Sequence, residues 1–146
     1  MSKSGSRLLT GARVSELTGL HGVTLGKLVR EGFLQRDEAT LRYHGTELVV
    51  AQALAYLGTR ASKSGAHRDR CAVEKLREAL AEGAIGPLTD LVVTQDFARL
   101  VHTLGERLDA TVSLRDYRVL GVGAWLGEFK KCEPEAFGFP ALIVAA

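Results

Sequence analysis

The stretch Val14–Leu34, VSELTGLHGVTLGKLVREGFL, decides how the first half of this 146-residue chain is read. Leu25, Leu28 and Val29 recur at the spacing of one helical face, which predicts a helix over about Val23–Glu31 that Gly32 stops. Upstream, Thr10 is a good capping residue for a helix to about Leu17, with Val14 and Leu17 inward and Gly19 just past its end. Thr18-Gly19-Leu20 is then a tight turn between the two helices. Downstream, Phe33–Arg36 and Thr40–Tyr43 read as two short extended pieces around Asp37-Glu38-Ala39. Thr46 opens a third helix to about Leu57, with Val50, Ala53, Leu54 and Leu57 on one stripe and Gly58 as its stop. Helix, turn, helix, hairpin, helix is the order of a winged helix-turn-helix.

That stretch, with the following LRYHGTELVVAQALAYL (Leu41–Leu57), resembles the N-terminal DNA-binding domain of MerR-type regulators and their excisionase relatives. Leu17-Thr18-Gly19-Leu20 stands at the turn, and Thr24-Leu25 opens the second helix. Gly32-Phe33-Leu34 closes it with the family's spacing and no gap; Arg42, Tyr43 and Leu48 continue the match through the wing. The resemblance covers about residues 9–57. It implies binding to duplex DNA, with the second helix in the major groove and the wing along the backbone or minor groove. The candidate DNA contacts are Arg13 on the first helix, Thr24, Lys27 and Arg30 on the second, and Arg36, Arg42, Tyr43 and His44 in the wing.

This sequence also departs from the family. Val23 and Gly26 stand on the outward face of the second helix where relatives usually carry arginine. Each good bidentate base contact is worth roughly 1–3 kcal/mol, so the substitution matters. Gly26 inside a helix costs about 1 kcal/mol relative to alanine, and Asp37 and Glu38 put acid into the wing. A winged helix that holds a protein partner or drives self-assembly therefore stands beside the DNA reader as an alternative, since fold does not fix function. Tyr43 and Tyr56 suit either a core or a stacking role. The run Lys63–Arg70 suits either a basic arm or a soluble linker.

Composition bounds the rest. The chain has a mass of 15.7 kDa, is 46% hydrophobic and 25% charged, and so has room for one ordinary or two very small folded domains. No apolar run is long enough to span a membrane; the longest, Phe139–Ala146, contains Pro140. The start, MSKSGSRLL, lacks the apolar stretch of a secretory signal, so the expected location is the cytoplasm. Cys71 and Cys132 form no CxxC and read as reduced, partly buried thiols without a zinc signature. Residues 1–70 hold eleven Lys/Arg against six Asp/Glu, a balance of +5; residues 71–146 hold eight against eleven, a balance of −3. The asymmetry points the first half at a polyanion. Gly58–His67, GTRASKSGAH, has linker composition. The expected architecture is α+β: a winged helix-turn-helix over 1–58, a linker over 59–67 and a small mixed α/β domain over 68–146.

In the second half, Arg68–Ala81 reads as a helix, Leu91–Thr94 as a strand that Arg99–His102 pairs with, and Thr103 with Glu106 as a capping box. Thr111–Leu120 reads as a strand or a strand with a turn, and Gly123–Cys132 as a helix ended by Pro134. Gly121-Val122-Gly123 and Gly127 lack the spacing of a dinucleotide turn. His102 with Asp96 or Asp109 has no suitably spaced nucleophile. No enzyme, cofactor or metal is therefore expected. Phe137, Phe139, Leu142, Ile143 and Val144 are too apolar for water and either complete the sheet or bury against a second copy. MerR-type regulators dimerise through a long helix, and Arg68–Ala81 is too short for that. The reading is a DNA-binding transcriptional regulator, homodimeric on double-stranded DNA, without a membrane partner and with a protein partner open to its C-terminal domain.

Overall fold

The computed structural model describes residues 7–58 and 63–138, and their contacts divide them into two units. The first unit comprises residues 7–55 with 126–138; the second comprises 56–58 with 63–125.

In the first unit, α1 (Gly11–Thr18) starts where the Thr10 hydroxyl accepts from Arg13 N–H at 3.1 Å. It ends at Gly19, whose left-handed φ of 81° only glycine adopts at no cost, its N–H donating to Ser15 O at 2.8 Å. Val14 is fully buried and Leu17 only half-buried; Thr18 takes the inward place by donating its hydroxyl to Val14 O at 2.7 Å. The second helix, α2 (Gly22–Arg30), buries Leu25 and Leu28 and leaves Val29 half-buried. Beyond it Gly32 (φ 85°) turns the chain so that Phe33 and Leu34 N–H both reach Leu28 O. Glu47, in the first turn of α3 (Thr46–Leu57), pins the following segment by accepting from Gln35 N–H at 2.8 Å. The third helix is buried on nearly every side through Leu48–Ala51, Ala53, Leu54 and Leu57, which its sequence TELVVAQALAYL allows.

The predicted hairpin is reduced. In place of two extended pieces, Asp37 and Arg42 form a single antiparallel bridge, and Tyr43 bridges back to Leu9. The Leu9–Tyr43 pair exchanges both backbone bonds, at 2.7 and 2.8 Å. Polar Asp37 and Glu38 favour a tight turn over a ladder here: the Asp37 carboxylate accepts Ala39 N–H at 2.9 Å.

The C-terminal part of α6 (Val122–Cys132) and a 3-10 helix, Pro134–Phe137, complete this unit. Leu126 and Phe129 are buried, as is Ala136. Arg7 N–H donates to Glu135 O at 2.8 Å, and the two side chains pair at 3.1 Å. Gly45 sits so close to this turn that a Cβ there would stand 2.5 Å from Ala136 O. The domain expected over 68–146 is corrected accordingly: residues 126–138 belong with the N-terminal residues, because Arg7, Arg13 and Gly45 hold them there.

The second unit begins with α4 (Lys63–Glu82). Its start corrects both the helix expected from Arg68 and the linker expected over 59–67, since residues from Lys63 onward are helical; residues 59–62 lie outside those described. Ala66, Arg68 and Arg70 are strong helix formers and outweigh the single Gly65. The sheet has the order β2-β1-β3, all antiparallel, from β1 (Asp90–Val93), β2 (Ala98–Val101) and β3 (Arg118–Leu120). Leu91 aligns with Leu100 on one side and Leu120 on the other. Leu91, Val92 and Val93 are all buried, so both faces of β1 are covered; α4 and α5 (Leu104–Thr111) pack against β1 and β2. The Thr103 cap forms as expected, accepting Glu106 N–H at 3.0 Å, while Glu106 reaches back to His102 N–H at 2.6 Å. The stretch Thr111–Leu120 yields only the three residues of β3 after a turn.

Two arginines finish the C-terminal end of α3, where carbonyls lack helical partners. Arg68 Nη2 donates to Leu57 O at 3.0 Å, and Arg118 Nη1 donates to Tyr56 O at 3.3 Å. Gly123 opens α6 against the 86–89 turn: its N–H donates to Thr89 O, and any Cβ would collide with Gly86 O. Glycine is there for close packing. Of the cysteines, Cys71 is half-buried and Cys132 is exposed, the latter against expectation because it ends α6 on the polar side with Lys130 and Lys131. Among the described residues no helix is long and apolar enough to cross a membrane.

Candidate nucleic-acid interface

The α1–turn–α2 pair fixes which α2 residues look outward. With Leu25 and Leu28 buried, Val23, Lys27 and Arg30 are exposed and Thr24 is half-exposed. Gly26 lies between them, and a Cβ there would be 3.4 Å from Arg30 Nη1, so the Arg30 guanidinium lies back over the glycine. In the segment between α2 and α3, Arg42 and His44 are exposed. Among the described residues no ion pair engages Lys27, Arg30 or Arg42.

Three other sequence candidates are placed differently. Arg13 pairs with Glu16 and with Glu133, the latter through Nη2 at 2.7 Å and Nε at 2.8 Å. Its hydrogen bonds to Glu16 and Glu133 raise the guanidinium above its ordinary value despite some desolvation. Arg36 is likewise raised, by its hydrogen bond to Tyr43 and then by Glu38, which it meets at 3.2 Å. Tyr43 is corrected from a contact to a core residue, 1% exposed, because its backbone is fastened to Leu9 and its ring turned inward. The two acids after α2 serve their own segment, Asp37 capping its turn and Glu38 pairing with Arg36. Leu41, in the same segment, has a left-handed φ of 59° and is half exposed. That conformation costs a non-glycine residue roughly 1–2 kcal/mol.

Glu133 is the participant that sequence reading missed. It stands 120 positions from Arg13, and no local pattern signals such a pair. Of the residues assigned to the apolar tail, Phe137 is half-buried with its ring beside Gly45, while Phe139, Leu142, Ile143 and Val144 lie outside the described residues. In the second unit, His102 Nδ1 meets Thr89 Oγ1 at 2.9 Å in place of either aspartate considered for it. Among the described residues no group of three or more His, Cys, Asp or Glu side chains is arranged to hold a metal ion. The chain matches no protein-family model, no curated protein and no solved structure.

Proposed function

We propose that the chain is a sequence-specific DNA-binding transcriptional regulator that reads duplex DNA through a MerR-like winged helix and acts as a dimer. The observation that carries this reading is the exposed, unpaired cation set Lys27, Arg30 and Arg42 around α2 and the wing. Cations left without acidic partners on one small unit are the electrostatic requirement for gripping phosphates. Thr24, half-exposed near the start of α2, adds a hydroxyl for a base edge or phosphate. Selection from a random duplex library at about 50 mM salt tests it. Lys27→Ala and Arg42→Ala each weaken binding to the selected duplex, while Arg115→Ala in the second unit does not. Failure to enrich any duplex, or equal binding by all variants, refutes the reading.

One observation favours a protein-binding module instead. Val23 is 84% exposed on α2 and Leu41 is 52% exposed at the wing tip, two apolar side chains where a DNA reader gains little from them. Under this second reading, Val23→Asp and Leu41→Asn abolish capture of a protein partner, and duplex binding is absent throughout.

A further inference from the structure

One side of α4 meets the turn between β1 and β2 across an open cleft of about 320 Å³. His67, Cys71, Glu74 and Glu78 recur at spacings of four, three and four along that side, with Lys75 beside them, so they lie in one row. The packing of the helix is carried by Ala72, Val73, Leu76 and Ala79, all buried, and Cys71 is left half-buried on the cleft. Its Sγ lies 3.7 Å from Nε2 of exposed His67, one turn earlier, and 3.5 Å from Asp96 O. Thr94 fixes the turn that carries this carbonyl, its hydroxyl oxygen accepting Asp96 N–H at 3.3 Å and Phe97 N–H at 3.1 Å. The cysteine therefore has a base within reach of its sulfur and room beside it for a small reagent.

We propose that Cys71 is a modification site that exchanges with small cationic disulfides, those of aminothiols, with His67 as its base. The Cys71 proton passes to Nε2 of His67, and the sulfur attacks one sulfur of the reagent. The reagent's S–S bond breaks, a new S–S bond joins Cys71 to one half, and the other half leaves as a thiol with the proton from His67. One disulfide replaces another, so no further oxidant takes part. The charge of the cleft selects the reagent. Glu74, Glu78 and Asp96 line it against Lys75 alone, and Lys75 pairs with Glu78 at 3.4 Å. Among the described residues no ion pair engages Glu74 or Asp96, which leaves both carboxylates for an ammonium group. Phe97, 44% exposed on the same cleft, adds apolar surface for the alkyl chain between sulfur and ammonium. The other cysteine has the opposite setting. Cys132 is exposed at the end of α6 after Lys130 and Lys131, and Glu133, the acid that follows it, is held by Arg13.

The inference concerns a reaction of the second unit and does not depend on DNA recognition, so its test contains no DNA. The full chain is treated at neutral pH with cystamine, which has an ammonium at each end, and with dithiodipropionate, its carboxylate counterpart. Intact-mass spectrometry follows each thiol separately, Cys71 in a Cys132→Ser variant and Cys132 in a Cys71→Ser variant. Cys71 reacts with cystamine about tenfold faster than with dithiodipropionate, and added salt narrows the difference. Cys132 favours the anionic reagent. His67→Gln, an exposed position whose change leaves the circular dichroism spectrum intact, slows the reaction of Cys71 with cystamine roughly tenfold and leaves that of Cys132 as it was. Glu74→Gln weakens the preference of Cys71 for cystamine without abolishing its reaction with dithiodipropionate. Equal rates with the two reagents at Cys71, or an unchanged cystamine rate in His67→Gln, overturns the inference. A cystamine reaction as fast at Cys132 as at Cys71 overturns it equally.

Discussion

Replacing Gly45 with alanine tests whether the Pro134–Phe137 turn is built into the N-terminal unit. An alanine Cβ would lie 2.5 Å from Ala136 O, 3.0 Å from Ala136 C and 3.1 Å from Phe137 Cζ. Two of these neighbours are backbone atoms, so no side-chain rotation relieves the overlap. The turn must retreat by most of an ångström, which strains the Arg7–Glu135 backbone bond and the Arg13–Glu133 pair beside it. Overpacking of this kind costs typically 1–3 kcal/mol. For a chain of this length that lowers the melting temperature by about 2–12 °C, at roughly 2–4 °C per kcal/mol. Thermal unfolding followed by circular dichroism measures it, with Gly127→Ala as the control. Gly127 lies inside α6 with nothing within 4 Å of an added Cβ, so alanine there raises stability by up to about 1 kcal/mol. A Gly45→Ala variant as stable as wild type would mean that the C-terminal turn does not rest on Gly45, and the assignment of residues 126–138 to the first unit would fail with it.

Three further outcomes are expected. Glu16→Gln with Glu133→Gln costs about 1 kcal/mol in stability, as partly exposed pairs do, but frees Arg13 of both acids and steepens the salt dependence of duplex binding by about one phosphate contact; an unchanged slope removes Arg13 from the interface. Thr103→Ala removes the α5 cap and lowers stability by about 1 kcal/mol in chemical denaturation, with no change in duplex affinity. Gly26→Arg places a guanidinium on the outward face of α2 and, under the proposed function, strengthens duplex binding about tenfold in a fluorescence anisotropy titration. The same substitution, if it stabilises the fold without strengthening duplex binding, favours the protein-binding alternative.

Local chemistry made much of the fold legible. Thr10, Gly19, Gly32 and Thr103 each carry a conformational requirement in their own side chain or its absence, and each sits where its sequence neighbours place it. The strand Leu91–Val93 was legible as a short β-rich run, and its partner as the nearby Arg99–Val101 segment. What could not be read is long-range. The Arg13–Glu133 pair and the seat of Ala136 over Gly45 join residues about 90 to 120 positions apart. The wing misled because extended pieces and a tight Asx turn share the same residue types, and Asp37 chose the turn. In the site, exposure of Lys27 and Arg30 followed from helical periodicity. The capture of Arg13 by Glu133, and of Arg36 by Tyr43 across a folded loop, did not.

The central claim is that Lys27, Arg30 and Arg42 grip phosphates, and the salt dependence of duplex binding tests it most directly. Three free cations per copy predict a log–log slope near −2.7 for one copy and about −5 for a dimer. Between about 50 and 200 mM salt, affinity for the selected duplex then falls roughly a thousandfold, and Arg42→Ala flattens the dimer slope by about 2. A slope near zero, or one that Lys27→Ala and Arg42→Ala leave untouched, would contradict the account.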